Sequence, residues 1–401
     1  MAVATPSRPE VAGRVRTAAF SLVAVALFLL MFAASAPSPL YVVYQRMWGF
    51  TPATLTAVFA VYVLGLLVML VSAGALSDYV GRKPVLVSAI VAEAGSMLLF
   101  VLAEDVGWLY AARILQGLAT GAATGAISAA LIDLERRPGT GALVNSATPT
   151  AGLAVGALGV GLLVQFAPAP TKLVYILLLV AFLGTAIALL FTPEPVTRRP
   201  GALRSLRPQL GVPPGKLRAF LTVLPSLVVP WTLGGLYLSL GRSLVVDILG
   251  IDNPVAGGLV VFLLTGTGAA ASVLVRNWQP QAAMTVGASA LAVGVAAVLV
   301  ALAVAFAPLF FAATVLGGFG FGATFLGAFR TATALAPPGG RAALVATIYT
   351  ACYLSFSLPS LAAGLAATHV GLPVTATWYG LMVITLAILA IVARRLRPKV
   401  R

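Results

Sequence analysis

Twelve runs of about twenty apolar residues, each long enough to cross the hydrocarbon core of a bilayer as a helix, divide the chain at charge, proline and glycine. They fall at 18–44, 53–75, 84–103, 108–132, 140–166, 172–192, 219–240, 254–275, 281–305, 308–333, 341–367 and 374–393. Thr51-Pro52, Pro254 and Pro308 sit where a helix start tolerates proline. Backbone polar groups in lipid must be satisfied within the segment, so the pattern predicts an all-α integral membrane protein of twelve spans. Composition agrees: 9% of residues are charged, against about 25% in soluble domains.

Charge then sets orientation. The net charge of +15 would suggest nucleic acid in a soluble protein, but here the basic residues lie between apolar runs and no nucleic-acid partner is expected. With a cytoplasmic N-terminus, 21 of the 25 Lys and Arg residues fall inside, leaving Arg46, Arg113, Lys172 and Arg242. The positive-inside rule therefore puts both termini in the cytoplasm, in a multi-pass protein of the cell (plasma or inner) membrane. The first apolar run reaches full spanning length, so no cleavable signal peptide is expected. The lone Cys352 permits no internal disulfide.

The break 192–219, basic and proline-rich, reads as a linker. The expected organisation is a cytoplasmic tail (1–17), a six-helix half (18–192), a basic linker (193–218), a second six-helix half (219–393) and a basic tail (394–401). The halves echo one another. "LQGLATGAA" from Leu115 and "LGGFGFGAT" from Leu316 are 201 positions apart, as are "GTGALV" from Gly139 and "GRAALV" from Gly340. A 6+6 repeat with a basic central loop points to a transporter whose halves rock about a site between them.

Between the second and third spans lies "GALSDYVGRKPVL". Gly74, Leu76, Asp78, Gly81, Arg82 and Lys83 resemble the loop signature G-x-L-x-D-x-x-G-R-K/R of the major facilitator superfamily, at the place a twelve-span member carries it. Physically, Gly74 allows a close helix approach, Gly81 a tight turn, and the basic pair anchors the loop. The resemblance implies that Asp78 and Arg82 belong to a charge cluster closing the cytoplasmic face in the outward-open state. Its expected partners are Asp133 and the N-terminus of the eleventh helix near Gly340; the competing reading is that these charges only set topology. The second half has no good copy: "ASVLVRNWQPQAAM" keeps Arg276 and Pro280 without the acid or glycine turn.

"RILQGLATGAATGA" resembles a second family pattern, R-x-x-Q-G, which implies a role for Arg113 in proton coupling or substrate binding. The alternative is an Arg snorkelling to the outer surface. Gly117, Gly121 and Gly125 share one face and suit tight packing. The fifth span, with Gly152, Gly156, Gly159 and Gly161, resembles the glycine-rich pattern of exporters and antiporters, although Ala157 stands where that pattern has proline.

Of ten acids only Glu93 lies deep in a span. An intramembrane carboxyl costs several kcal/mol unless neutral, paired or facing a cavity. Antiparallel third and fourth spans bring Gln116 to its depth and Arg113 nearby, so a contact with either is expected. Two readings stand: a proton-binding residue, or a structural acid. For substrate, the resemblance implies a cavity on the first, fourth, seventh and tenth spans, where Tyr41, Tyr44, Gln45, Gln116, Trp231 and Tyr237 are candidates. Pro37, Pro39 and Pro230 are expected to bend their helices, and Tyr349 and Tyr353 on the eleventh span are secondary. Aromatic residues with polar tips suit amphipathic ligands, and interfacial anchoring is the competing role for Tyr44.

Sparse polar residues in the spans disfavour a sugar or metabolite importer. The favoured reading resembles the drug:proton antiporter group: proton-coupled export of a hydrophobic or amphipathic small molecule by rocker-switch alternating access, as a monomer. Proton symport or facilitated uptake is the alternative, and a non-transporting receptor or assembly factor the distant one. No enzyme motif, metal site or cofactor is expected, because HExxH, GxSxG and Walker patterns are missing.

Overall fold

A computed structural model describes residues 8–50, 52–74, 76–194, 196, 200–202, 210–251, 253–336 and 341–395. Among these the chain is helical, without strands. The first apolar run is split. Helix α1 (Arg8–Ser35) ends at Ala36, and α2 (Pro37–Trp48) resumes with Pro37 as its first residue, where the missing N–H costs nothing. At the junction Ala36 keeps helical backbone angles and its N–H still donates to the Phe32 carbonyl at 3.0 Å.

There follow α3 (Pro52–Ala73), the short loop helix α4 (Leu76–Val80), α5 (Arg82–Val101), α6 (Val106–Leu134), α7 (Thr140–Phe166) and α8 (Pro170–Leu190). The second six spans are α9 (Leu217–Ser243), extended by a π-helical turn at Leu244–Ile248, then α10 (Pro254–Leu274), α11 (Pro280–Ala303), α12 (Ala307–Thr333), α13 (Arg341–Val370) and α14 (Leu372–Arg395). Among the described residues eleven helices are long and apolar enough to cross a membrane; the twelfth expected span is α3, apolar over Ala57–Ala73. Most boundaries lie within a few residues of those read from sequence. Helix α1, however, begins within the expected N-terminal tail, α9 starts inside the expected linker, and Gly340 lies outside the described residues.

The exterior is as apolar as the core, with Leu64, Val180, Ile187, Phe191, Val300 and Leu365 more than half exposed. A soluble protein would bury such a belt; lipid accepts it. Inside, one core joins Leu30, Ile90, Phe100, Tyr175 and Phe182 in the first bundle. Another joins Leu233, Leu264, Leu291 and Phe310 in the second. A third lies between the bundles, where Tyr62 and Leu66 meet Phe325, Phe329, Ile348 and Tyr353.

The repeated glycines occupy matching crossings. A Cβ on Gly117 or Gly121 would strike the backbone of Tyr62 or Leu66 on α3, and one on Gly318 or Gly322 would strike that of Leu264 or Gly268 on α10. The fourth and tenth spans therefore lie backbone-close on the second and eighth, as small residues allow. Gly152 and Gly156 likewise seat α7 against Phe28 and Phe32 of α1.

The bundles touch along α7 and α10, where Ser146 Oγ lies 3.0 Å from Ser272 Oγ and a Cβ on Gly258 would sit 2.8 Å from the carbonyl of Ala157. They touch again between α3 and α13. An even number of spans puts both ends of the chain on one face. There Gly74 lies against Ala346 of α13, and the backbone of Gly211 donates to Thr347 Oγ1 at 2.9 Å. Toward the other face the bundles part.

Candidate translocation pathway and buried charge cluster

The parting forms two cavities that share Phe59 and Leu238. The deeper, about 70 Å³, is an aromatic chamber at mid-depth walled by Tyr62, Trp231, Phe321, Phe325, Tyr353 and Phe356. Trp231 organises it, meeting Tyr353 edge-on at 4.7 Å between ring centroids and Tyr349 at 6.0 Å. Above it lies a vestibule of about 380 Å³ lined by Tyr41, Gln45, Tyr237 and Arg242 with several serines.

Beside the vestibule, sealed from it, the first bundle holds its charge cluster. Glu93, Arg113 and Gln116 have no exposed surface, so Arg113 does not snorkel. Gln116 is the hub. Its Nε2 donates to Glu93 Oε1 at 3.3 Å and to the carbonyl of Ala33 at 3.1 Å, and its Oε1 accepts from Arg113 Nη1 at 2.6 Å. The Ala33 carbonyl is free for a reason legible in the chain: Pro37, four residues on, has no N–H to offer it.

Arg113 Nε donates to the Tyr41 hydroxyl at 2.6 Å. The guanidinium also lies over the rings of Tyr62, Tyr41 and Phe100 at 5.0, 5.5 and 6.0 Å, which partly replaces the water it has lost. Among the described residues no ion pair joins Glu93 to Arg113; the amide stands between them. Glu93 Oε2, Arg113 Nη2 and the neighbouring Thr120 hydroxyl are buried without hydrogen-bond partners. Such atoms are costly in a low-dielectric interior. The chain Glu93–Gln116–Arg113–Tyr41 ends on a residue of the vestibule wall.

The other candidates divide. Tyr41, Gln45 and Tyr237 line the vestibule and Trp231 the chamber. Tyr44 lines neither: it stacks on Trp48 at 4.8 Å and its hydroxyl donates to the carbonyl of Thr171, in the first turn of α8, at 3.2 Å. Gln116 also lies off both walls, spent inside the charge cluster. Sequence reading missed Tyr62, Phe100 and the chamber phenylalanines, since an aromatic residue in a span looks the same whether it faces lipid or a cavity.

On the terminal face, Arg82 Nη1 pairs with Asp78 Oδ1 at 2.5 Å and its Nε with Asp133 Oδ2 at 3.3 Å. Gly81, at φ +106°, makes the turn that aims it. A further acid completes the cluster: Glu194, just past α8, accepts from the backbone N–H of Arg82 at 2.8 Å and of Lys83 at 3.0 Å, capping α5. Lys83 Nζ in turn donates to the carbonyls of Leu190 and Thr192. The signal for Glu194 was weak, a lone acid in a basic proline-rich break.

The Major Facilitator Superfamily model matches residues 23–358, most of the chain. The chain belongs to this superfamily. Among solved structures, this superfamily member resembles the human organic anion transporter MFSD10 (TETRAN) with a TM-score of 0.71 at 19% identity, over 94% of this chain and 99% of that one. At that identity the likeness concerns the fold alone: twelve helices in two six-helix bundles. No curated protein sequence matches the chain. Members of the superfamily are transporters rather than enzymes, and this multi-pass chain is placed among them.

Proposed function

We propose that the protein is a proton-coupled secondary transporter that exports an amphipathic small molecule by alternating access, in the manner of drug:proton antiporters. It would act as a monomer in the cell membrane with both termini in the cytoplasm. One observation carries the reading. A carboxyl with no exposed surface and one unpartnered oxygen is linked by hydrogen bonds, through Gln116 and Arg113, to Tyr41 on the wall of a cavity between the bundles.

A carboxyl there has reason to take up and release a proton as its surroundings change: desolvation favours the neutral form and a nearby guanidinium the charged one. Tyr41 lies on the vestibule wall and holds Arg113, so a change in what fills the vestibule reaches the guanidinium through that hydrogen bond. The closed terminal face with Asp78, Arg82 and Asp133 in contact fits the outward-facing half of such a cycle. The aromatic chamber suits the apolar part of a cargo.

The test is accumulation of a panel of amphipathic anions, cations and neutral compounds in an efflux-deficient bacterium. Cells would carry wild type, Glu93→Gln or Asp78→Asn at matched expression, with and without a protonophore. Wild type lowers accumulation of at least one compound, and the protonophore and Glu93→Gln each abolish the effect. Raised accumulation would mean uptake instead, and binding without flux a receptor.

A further inference from the structure

We propose that the cargo is an amphipathic acid, its negative group held by Arg242 in the vestibule and its apolar body lodged in the aromatic chamber below. This rests on the transporter reading above and adds the sign of the charge. Among the described residues the walls of the two cavities contain one charged side chain, Arg242, and no Asp or Glu. Glu93, the one intramembrane acid, is sealed behind Gln116 with no exposed surface. A cationic cargo would therefore meet a guanidinium and no carboxylate, an arrangement that repels it, whereas an anion finds a partner in a site where low-dielectric walls concentrate the field.

The local structure keeps that guanidinium available. Arg242 stands in the last turn of α9, half-buried, and among the described residues it makes no ion pair or hydrogen bond; both ion pairs there belong to Arg82. Its stem lies on α10 at Gly257, where a Cβ would come within 3.1 Å of Arg242 Cγ. Ser38 and Ser243 share the vestibule with it. The Tyr41 hydroxyl adds a directed donor: its oxygen accepts from Arg113, leaving its own hydrogen to point elsewhere.

The ordinary reading is that a basic residue in a last turn completes the helix dipole and anchors the helix in the headgroups. Arg46 on the same side does that, exposed in the last turn of α2 and outside both cavities; Arg242 faces the vestibule instead. A membrane potential negative inside also favours outward movement of a negative charge.

The experiment measures binding of three probes to the full-length protein in lipid nanodiscs. Each probe is a naphthyl ring, bearing a carboxymethyl, a carboxamidomethyl or an aminoethyl arm. The carboxylate is expected to bind at least about tenfold tighter than the amide, the ratio a charge-assisted hydrogen bond supplies, and the amine weakest. Arg242→Gln brings the carboxylate-to-amide ratio to about one, Arg242→Lys keeps part of it, and Arg46→Gln keeps all of it. Equal affinities, tightest binding by the amine, no binding by any probe, or an unchanged ratio in Arg242→Gln would overturn the proposal. Proton-coupled flux of the amide without a preference for the carboxylate would sink the anion site and leave the transporter reading standing. Carboxylate-selective binding with no flux of any probe would do the reverse.

Discussion

Glu93, Arg113 and Gln116 in the first bundle correspond, 201 positions on, to Gly294, Thr314 and Gly317 in the second. The backbones repeat: α6 lies on α3 through Gly117 and Gly121 as α12 lies on α10 through Gly318 and Gly322. The contacts above them do not. Where the third and fourth spans meet through a carboxyl and an amide 3.3 Å apart, the ninth and tenth meet backbone to backbone, and a Cβ on Gly294 would lie 2.5 Å from the Gly317 nitrogen. Where Tyr41 accepts from a guanidinium, Tyr237 shares a hydrogen bond of 2.9 Å with the hydroxyl of Thr314. Among the described residues the second bundle thus reaches the same crossings with no buried charge. Packing does not require the charges of the first bundle, and that surplus is the argument for giving them a part in transport.

The largest expected effect tests this contrast on stability. Arg113→Leu strips Tyr41 and Gln116 of their partner and leaves the Glu93 carboxyl without a nearby cation. Each buried polar group left unsatisfied costs about 1–3 kcal/mol, so the two orphaned partners together predict about 2–6 kcal/mol. Thr314→Val, at the matching position, removes two neutral hydrogen bonds, to the Tyr237 hydroxyl and the Phe310 carbonyl, and should cost about 1–2 kcal/mol. Thermal melts of the two variants in the same detergent check the difference; equal losses would mean that the cluster is no more strained than its neutral counterpart.

How much of this was legible beforehand follows the same division. The spans, the 6+6 repeat and the Asp78–Arg82–Asp133 cluster were, because length, periodicity and a spaced motif are local properties of the chain. Glu93 stood out because one acid in a greasy run has no local excuse. Its contact with Gln116 followed from the depths of two antiparallel helices. The intervening amide, however, depends on which way α6 is rotated, and no count along the sequence supplies that. Tyr44 lies off the cavity walls for a similar reason: which tyrosine of α2 meets the cavity and which meets α8 is set by how the helix packs, not by its spacing along the chain. Glu194 was hidden because capping α5 joins residues 82 and 194 through a fold, not a pattern.

A smaller effect on stability and a selective one on function should come from Glu93→Gln. The substitute keeps an oxygen to accept from Gln116 and loses only the ability to bind and release a proton. Its melting temperature should stay near wild type, with a loss of under about 1 kcal/mol. Flux driven by an imposed pH gradient in proteoliposomes should fall at least about tenfold, the equivalent of 1.4 kcal/mol, while counterflow exchange without a gradient persists. A matching loss of both activities would make Glu93 structural and return the contrast between the bundles to an accident of packing.

The terminal face carries the contrast in reversed polarity, and the smallest effect belongs there. In the first bundle a loop arginine, Arg82, reaches back to an acid at the end of the fourth span, Asp133. In the second an arginine at the end of the tenth span, Arg330, reaches out to loop carbonyls, those of Arg276 at 3.0 Å and Trp278 at 3.3 Å. Both tie a short loop to a helix end, but only the first is an ion-pair cluster beside α13, where Gly74 meets Ala346. Asp78 and Asp133 are about a third exposed, so solvent screens each pair to about 0.5 kcal/mol, or about 1 kcal/mol for the two that Arg82 makes. Arg82→Gln should accordingly raise the fraction open at this face by up to about fivefold, since 1 kcal/mol is roughly that ratio. Labelling by a membrane-impermeant maleimide of a cysteine placed at Ala346, in a Cys352→Ser background, reads this out. Arg330→Gln should leave labelling unchanged, because the loop it ties is not the one beside the Gly74–Ala346 contact with α13. If both substitutions raise it equally, the face is closed by general packing of the loops, and the ion-pair cluster has no special part in the gate.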